Sequence, residues 1–246
     1  MSAFAALLAR STELGRAQEV VQRIQEAIHL GLLSDGEKLP VEVELAAQFK
    51  VAPMTVREAL AELREHGLVE TKRGRNGGSF IRHPKSPPIE PQRQRLAAMT
   101  ISELRDIVDE HLAVAGRSAL LAAERASAVN VRRLFALTEQ MRTADNLGDR
   151  IRADCRFHIE LAVAAQSTRL TRLEASLQTE VSGLLWLPLG PEIDLDAVVA
   201  EHHAIATAVV SENGAEARRL TEEHVAGNLR RLTALHLLLT EEGAQL

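Results

Sequence analysis

The first third of the chain shows short helical patterns separated by small turns. Apolar residues recur at intervals of three and four, which is the spacing of one helix face. The pattern predicts helices over Glu19–His29, Val41–Phe49 and Pro53–His66. A three-residue turn, Lys50–Ala52, separates the last two helices, and Gly67 follows the third in a position typical of a helix C-terminus. Two short strands, Leu68–Thr71 and Ser79–Ile81, then flank a glycine-rich loop and predict a hairpin.

The second and third helices are each expected to pack through one apolar side. In the second helix the expected buried face is Val43, Ala46, Ala47 and Phe49. In the third helix it is Val56, Ala59, Leu60 and Leu63. These faces leave the opposite side of the third helix exposed to solvent.

This order of helices, tight turn and basic hairpin is the arrangement of a winged helix-turn-helix. A helix N-terminus with side-chain donors suits phosphates and the base edges of a major groove. The glycines of the loop would let its backbone approach DNA closely. The expected DNA-binding residues are Met54, Thr55, Arg57 and Arg64 on the helix and Lys72, Arg73, Arg75 and Gly77 in the loop.

A proline-rich stretch separates this block from the rest of the chain. Four of the eight prolines lie between Pro84 and Pro91. Proline lacks a backbone N–H donor and fixes φ, so the stretch is expected to be extended and free of helix. The sequence therefore predicts a DNA-binding domain over 1–83, a linker over 84–99 and a second domain over 100–246.

The second domain is helical almost to its end. Six helices are predicted, at Thr100–Glu124, Val129–Leu147, Asp149–Ala165, Leu170–Leu187, Leu195–Ser211 and Ala215–Thr240. Ala and Leu dominate the composition, and both favour helices. The expected fold class is mainly α, with a winged helix-turn-helix and a small β-hairpin followed by an antiparallel helical bundle.

The charge distribution indicates the kind of partner, and the single cysteine indicates the cellular compartment. The formal charge is −5, yet residues 1–85 hold twelve Lys and Arg against eleven Asp and Glu. One local cationic patch on an acidic protein favours a polyanion bound at a defined place.

Cys155 is the only cysteine, which fits a reducing cytoplasm, and no run of eighteen apolar residues predicts a membrane span. The N-terminal segment lacks the basic region of a signal peptide.

The helical domain contains a candidate metal site. Asp154 and His158 are four residues apart and share a helix face, while His202 and His224 lie on the last two predicted helices. Taken alone, each histidine is also compatible with an ordinary solvated or hydrogen-bonded residue. Together, imidazoles and a carboxylate among apolar residues suit Zn²⁺, Ni²⁺ or Mn²⁺ with coordination positions left open.

Residues 18–82 resemble the DNA-binding domain of the GntR family of bacterial transcription regulators. The resemblance rests on GLLSDGEKLPVEVE, VREALAELREHGLV and the glycine-rich wing. Many members have Arg after the Glu of the first motif and a Ser-Arg pair at the start of the recognition helix. This chain has Val43, Ala52 and Pro53 there. More of the binding is therefore expected to rest on Thr55, Arg57 and the wing, with an unusual operator.

The whole chain resembles the FadR subfamily, whose helical effector domain is called FCD. The resemblance implies that the metal ligands are Asp154, His158, His202 and His224, with the adjacent His203 outside the site. In the first helix of that domain the family commonly has Arg followed four residues later by Glu. Here His111 and Ala115 stand at these positions, so His111 is a weaker candidate for contacting an effector carboxylate.

These features together predict a cytoplasmic, homodimeric transcription regulator without a membrane anchor. It is expected to act as a repressor that binds a palindromic operator in double-stranded DNA. Its effector is expected to be a small organic acid that contacts the metal. Two alternatives stay open: a metal-dependent hydrolase or isomerase built on the bundle, and a DNA-binding protein without an effector whose histidine cluster is structural.

Overall fold

The computed structural model describes residues 15–244, with side chains over 15–241. The chain divides into two compact units, Met1–Lys85 and Ser86–Leu246. Within residues 15–244, none of the helices is both long and apolar enough to cross a membrane. The expected mainly α fold with one antiparallel hairpin is confirmed.

The described part of the first unit contains three helices and a two-stranded hairpin. The helices are α1 (Arg16–His29), α2 (Glu42–Phe49) and α3 (Pro53–Glu65). The strands are β1 (Val69–Lys72) and β2 (Gly78–Ile81). The buried side of α3 is the predicted one, Val56, Ala59, Leu60 and Leu63. All four side chains point into a core that also holds the apolar face of α1.

The apolar face of α2 differs from the expected one. Leu45, Ala46 and Phe49 are buried, whereas Val43 and Ala47 are exposed. The helix has only eight residues, so one narrow stripe contacts its neighbours, and positions 45, 46 and 49 define that stripe.

The turn between α2 and α3 needs one residue in a left-handed conformation. Lys50 takes this role with φ of 57°, and the N–H of Val51 donates to the Ala46 carbonyl at 3.0 Å. Pro53 begins α3, where its missing N–H has no helical acceptor in any case. The N-cap, Ala52, supplies no side-chain acceptor to the first turn.

The hairpin places its basic loop at the end of two short antiparallel strands. Val69 pairs with Ile81 and Lys72 with Gly78. Lys38 adds an isolated bridge to Phe80, so a third segment supports the wing.

The second unit begins with a helix that the sequence did not predict. We expected 84–91 to be free of helix, but α4 spans Ile89–Ala98. Pro91 is in the third helical position, where the N–H of any residue lacks an intrahelical acceptor, so proline does not break the helix there. Leu96 is fully buried, and the His236 ring contacts the Leu96 carbonyl through Nδ1 at 3.0 Å.

Six further helices form the bundle. They are α5 (Ile101–Arg125), α6 (Ala128–Thr143), α7 (Leu147–Ala164), α8 (Thr168–Leu185), α9 (Leu195–Val210) and α10 (Gly214–Ala244). Thr100 caps α5 in a reciprocal box with Glu103. Helix α7 is buried along most of its length, and its Phe157 lies in a core shared with α5, α6, α9 and α10. Side chains from α7 are therefore enclosed by the other helices.

Candidate metal centre and DNA interface

Four predicted ligands from three helices come together inside the bundle. Asp154 and His158 lie one turn apart on α7, His202 lies on α9 and His224 on α10. One ligand atom from each lies within 4.8 Å of those of the other three. The first three side chains are buried, and His224 is half-buried.

The distances between these atoms suit a shared cation. Nε2 of His202 is 3.4 Å from Nε2 of His224 and 3.5 Å from Oδ1 of Asp154. Nε2 of His158 is 3.9 Å from the same carboxylate oxygen. Ligands bound at about 2.0–2.2 Å to one ion lie roughly 3–3.6 Å apart, so small side-chain adjustments would complete a site.

Neighbouring groups orient three of the four side chains. The Trp186 indole N–H donates to Oδ2 of Asp154 at 2.9 Å. Nδ1 of His224 is 2.6 Å from the Glu201 carboxylate, which accepts a hydrogen bond from Nδ1–H; in that tautomer Nε2 carries the lone pair. The Phe157 ring stacks on the His202 ring with centroids 4.1 Å apart. Contacts of this kind hold metal-binding side chains in position.

Burial favours the neutral imidazoles that a metal requires. It lowers the pKa of His158 to about 3 and that of His202 well below its usual value. Burial also raises the pKa of the Asp154 carboxyl. Nδ1 of His158 and Nδ1 of His202 have no hydrogen-bond partner among the described residues. Neutral imidazoles beside a buried carboxylate fit a divalent metal ion, and this cluster could hold one.

His111 is not among the residues that line the cavity beside this cluster. It is buried, and its Nε2 is 3.0 Å from Oε1 of Glu174. Gln178 donates to the same Glu174 oxygen at 2.9 Å. Burial opposes the ionised form of Glu174, but the charge and hydrogen bond of His111, together with His158 and the hydrogen bond of Gln178, outweigh it and lower the pKa of Glu174 to about 2. The imidazole is thus engaged by an internal carboxylate, which the sequence pattern gave no reason to expect.

A cavity of about 60 Å³ lies beside the cluster. Its lining is Asp154, His158, Gln178, Leu185, Trp186, Ile193, Val198, His224, Asn228 and Arg231. The Arg231 guanidinium donates to the carbonyls of Leu185, Pro191 and Leu187 at 2.6, 3.0 and 3.2 Å. It thereby fixes the segment between α8 and α9 and contributes a cation to the cavity wall. Sequence reasoning missed Arg231 because one arginine in a helical pattern carries no distinguishing signal.

The predicted DNA-binding side chains of α3 differ in exposure. Met54, Arg57 and Arg64 are exposed, and Thr55 is half-buried. Arg57 donates through Nε and Nη2 to Oε2 of Glu42 at 3.1 and 2.8 Å. An exposed ion pair of this kind is weak, so it does not prevent Arg57 from binding another anion.

The wing presents cations around a turn that requires glycine. Lys72, Arg73 and Arg75 are exposed. Lys72 contacts the Glu70 carboxylate at 3.2 Å and lies 4.7 Å from the centre of the Phe80 ring. A Cβ on Gly77 would lie 2.4 Å from the Lys72 carbonyl oxygen, so Gly77 is needed to close the turn. Lys38, exposed beside the wing, is a further cation that the motif did not single out.

The fold and these sites define a class: a winged helix-turn-helix unit joined in one chain to an α-helical unit with a buried cluster of metal-type ligands. Residues 16–80 match the family described as bacterial regulatory proteins, gntR family, and residues 100–227 match the FCD domain. The chain belongs to the GntR family of transcription regulators, in its FadR subfamily, and is not an enzyme. The first match implies DNA binding and the second implies a small-molecule effector.

Curated relatives cover most of the chain. RmpR of Mycobacterium gastri, of the HTH-type regulator class, is 44% identical over 92% of this chain and 84% of its own length. The Uxu operon regulator of Haemophilus influenzae is 28% identical over 83% of this chain and 77% of its own length. LutR of Bacillus subtilis is 28% identical over 79% of this chain and 91% of its own length.

Solved structures share the fold at low sequence identity. A GntR-type regulator from Rhodococcus is 20% identical with a TM-score of 0.51 and covers 89% of this chain and 98% of its own. Escherichia coli McbR/YncC is 16% identical with a TM-score of 0.50, and the match covers 90% of this chain and 98% of the McbR/YncC chain.

Proposed function

We propose that this chain is a cytoplasmic, metabolite-responsive repressor that binds a palindromic operator as a homodimer. Two recognition helices related by a two-fold axis would meet half-sites about 34 Å apart or somewhat closer. A small organic acid in the cavity would shift the equilibrium between two conformations of the dimer and so change operator affinity. The observation that carries the proposal is the convergence of three imidazoles and one carboxylate, of which His158, His224 and Asp154 also line a cavity.

The proposed metal ligands are Asp154, His158, His202 and His224. Zn²⁺ fits this set of nitrogen and oxygen donors best, and Ni²⁺ and Mn²⁺ are the other candidates. When bound, the ion would supply a Lewis acid to which an effector carboxylate can bind. Arg231 provides a second positive group in the cavity lining, which suits an anionic effector.

The metal assignment is tested by elemental analysis of purified variants. His202→Ala and His224→Ala should each lose the metal, while operator binding by the winged unit should persist in a gel-shift assay. His203→Ala is the matched control, because His203 is adjacent in sequence but exposed. Metal retained in both ligand variants would contradict the assignment.

The effector assignment is tested by thermal stability in the presence of small carboxylic and sugar acids, with and without a chelator. An acid that raises the melting temperature only of the metal-loaded protein, and weakens operator binding, would support the proposal. Metal-dependent stability with no response to any acid would favour an effector-independent DNA-binding protein with a structural metal. The small volume of the cavity and the contact between His111 and Glu174 favour this second candidate.

A further inference from the structure

Large apolar side chains are exposed at the N-terminal ends of α2 and α3. The exposed fraction is 57% for Val41, 68% for Val43 and 58% for Met54. Val43 is the most exposed of the large apolar side chains among the described residues. A single exposed apolar residue needs no explanation, but these three fall in one fourteen-residue stretch within the helix-turn-helix.

One ion pair joins α2 to α3, and two of these side chains are close in sequence to its members. Glu42 on α2 binds Arg57 on α3, with Nη2 to Oε2 at 2.8 Å. Val43 follows Glu42 directly, and Met54 is three residues before Arg57 and therefore on the same side of α3. We call Val43 and Met54 the apolar pair.

The chemistry of this region decides what it can recognise. Guanine is read in the major groove by Arg or Lys, which donate to two acceptors at once. Positions 43, 52 and 53 hold Val, Ala and Pro, whose side chains have no donor for this purpose. The C5-methyl of thymine is the one apolar group on the major-groove edge, and apolar side chains contact it.

We propose that the apolar pair reads thymine methyl groups in each operator half-site. This inference rests on the proposed function, because it requires that α3 enter a major groove. Duplex DNA is the occupant best supported for this surface, since the cations Lys72, Arg73 and Arg75 of the same unit suit the flanking phosphates. Half-sites should therefore contain A·T pairs where the apolar pair meets the base edges.

The test removes one methyl group at a time. An operator is first obtained by selecting random duplexes that bind the full-length protein. Each thymine is then replaced by deoxyuridine, which keeps every hydrogen-bonding group and lacks only the methyl. Fluorescence anisotropy should show about a four-fold loss of affinity at one or two positions per half-site, the change that corresponds to burying one methyl or methylene group.

The apolar pair is then linked to those positions by variants. Val43→Ala and Met54→Ala should each bind the thymine operator more weakly and lose the sensitivity to uracil at one position. Both changes are on exposed helical sites, so the fold should persist, and circular dichroism checks this. Val129→Ala is the matched control, because Val129 is 46% exposed and lies in the other unit. It should keep the full uracil effect.

The outcomes separate this inference from the function on which it rests. If no duplex is selected, the proposed function and the inference both fail. If a specific operator is found but uracil at every thymine position is neutral, only the inference fails. Equal losses for thymine and uracil operators in both variants would also overturn it, because the pair would then act without reading the methyl.

Discussion

At the scale of single residues, the pairing of His111 with Glu174 shows how burial changes the role of a titratable group. Both side chains are buried, and Nε2 of His111 lies 3.0 Å from Oε1 of Glu174. Burial lowers the pKa of His111, but the charge and hydrogen bond of Glu174 together with the charges of Asp154 and Glu110 outweigh that effect, and the net change is an increase. The pair is therefore best described as an internal ion pair, and Oε2 of Glu174 has no partner among the described residues.

Removing one member of this pair should destabilise the helical unit. We expect His111→Leu to lower the free energy of unfolding by about 3–5 kcal/mol, because it leaves the Glu174 charge buried without its partner. The double variant with Glu174→Leu should recover most of this loss, since no uncompensated charge remains. Chemical denaturation of the metal-free protein measures both. A single variant as stable as the parent would mean that the carboxylate finds another cation.

Gly77 offers a second prediction, concerning the wing. Gly77→Ala should distort the loop, because the added Cβ would lie 2.4 Å and 2.8 Å from the carbonyl oxygens of Lys72 and Gly74. We expect a cost of about 1–3 kcal/mol to the winged unit and weaker operator binding. Gly227→Ala, in α10 with its nearest atom 3.5 Å away, is the control and should be neutral or slightly stabilising. Thermal denaturation and gel-shift titration compare the two.

At the scale of elements, α3 begins without a side-chain cap. Ala52 has the extended conformation of an N-cap, with φ of −70° and ψ of 148°, but no oxygen to accept the first N–H groups. Ala52→Ser should therefore stabilise the winged unit by about 0.5–2 kcal/mol. Ala47→Ser, exposed within α2, should instead be neutral or slightly destabilising. Thermal denaturation gives the melting temperature of each variant, and equal changes in the two variants would contradict a capping effect.

Helix α4 begins in the proline-rich stretch that the sequence predicted to be free of helix, and its packing can be tested by substitution. Leu96→Ala should lower the stability of the second unit by about 2–5 kcal/mol, because Leu96 is fully buried. Gln94→Ala, exposed on the same helix, is the control and should have little effect. Urea denaturation monitored at Trp186 reports on this unit. A neutral Leu96→Ala would mean that α4 behaves as a linker.

The elements that could be predicted from the sequence are those with a long periodic pattern. Helices α5–α10 and the helix-turn-helix follow from apolar spacing, and the spacing of Asp154 and His158 already placed both on one face of α7. Glu174, Trp186 and Arg231 could not be predicted as neighbours of the site, because tertiary packing alone brings them there. Helix α4 was missed because proline content was taken as excluding helix, although proline is compatible with a first turn.

At the scale of the whole molecule, the net charge of −5 contrasts with the cationic wing. We expect Arg73→Ala to weaken binding to all duplexes and to reduce the slope of log K against log salt by about 0.9, the value for one phosphate contact on B-DNA. Arg172→Ala, exposed in the other unit, is the control and should leave the slope unchanged. Fluorescence anisotropy titrations at several salt concentrations measure this slope for each variant. An unchanged slope for Arg73→Ala would show that this side chain touches no phosphate.

The length of α10 has a consequence for signalling within the second unit. One continuous helix, Gly214–Ala244, carries His224 at the cavity and, about three turns further on, His236 against the Leu96 carbonyl of α4. A helix shifts along its axis as one body, since its backbone hydrogen bonds resist stretching. A displacement of α10 along its axis at the cavity would therefore also move His236, which contacts α4, the helix that follows the DNA-binding unit in the chain. A movement of this kind would require no unfolding of α10 between His224 and His236.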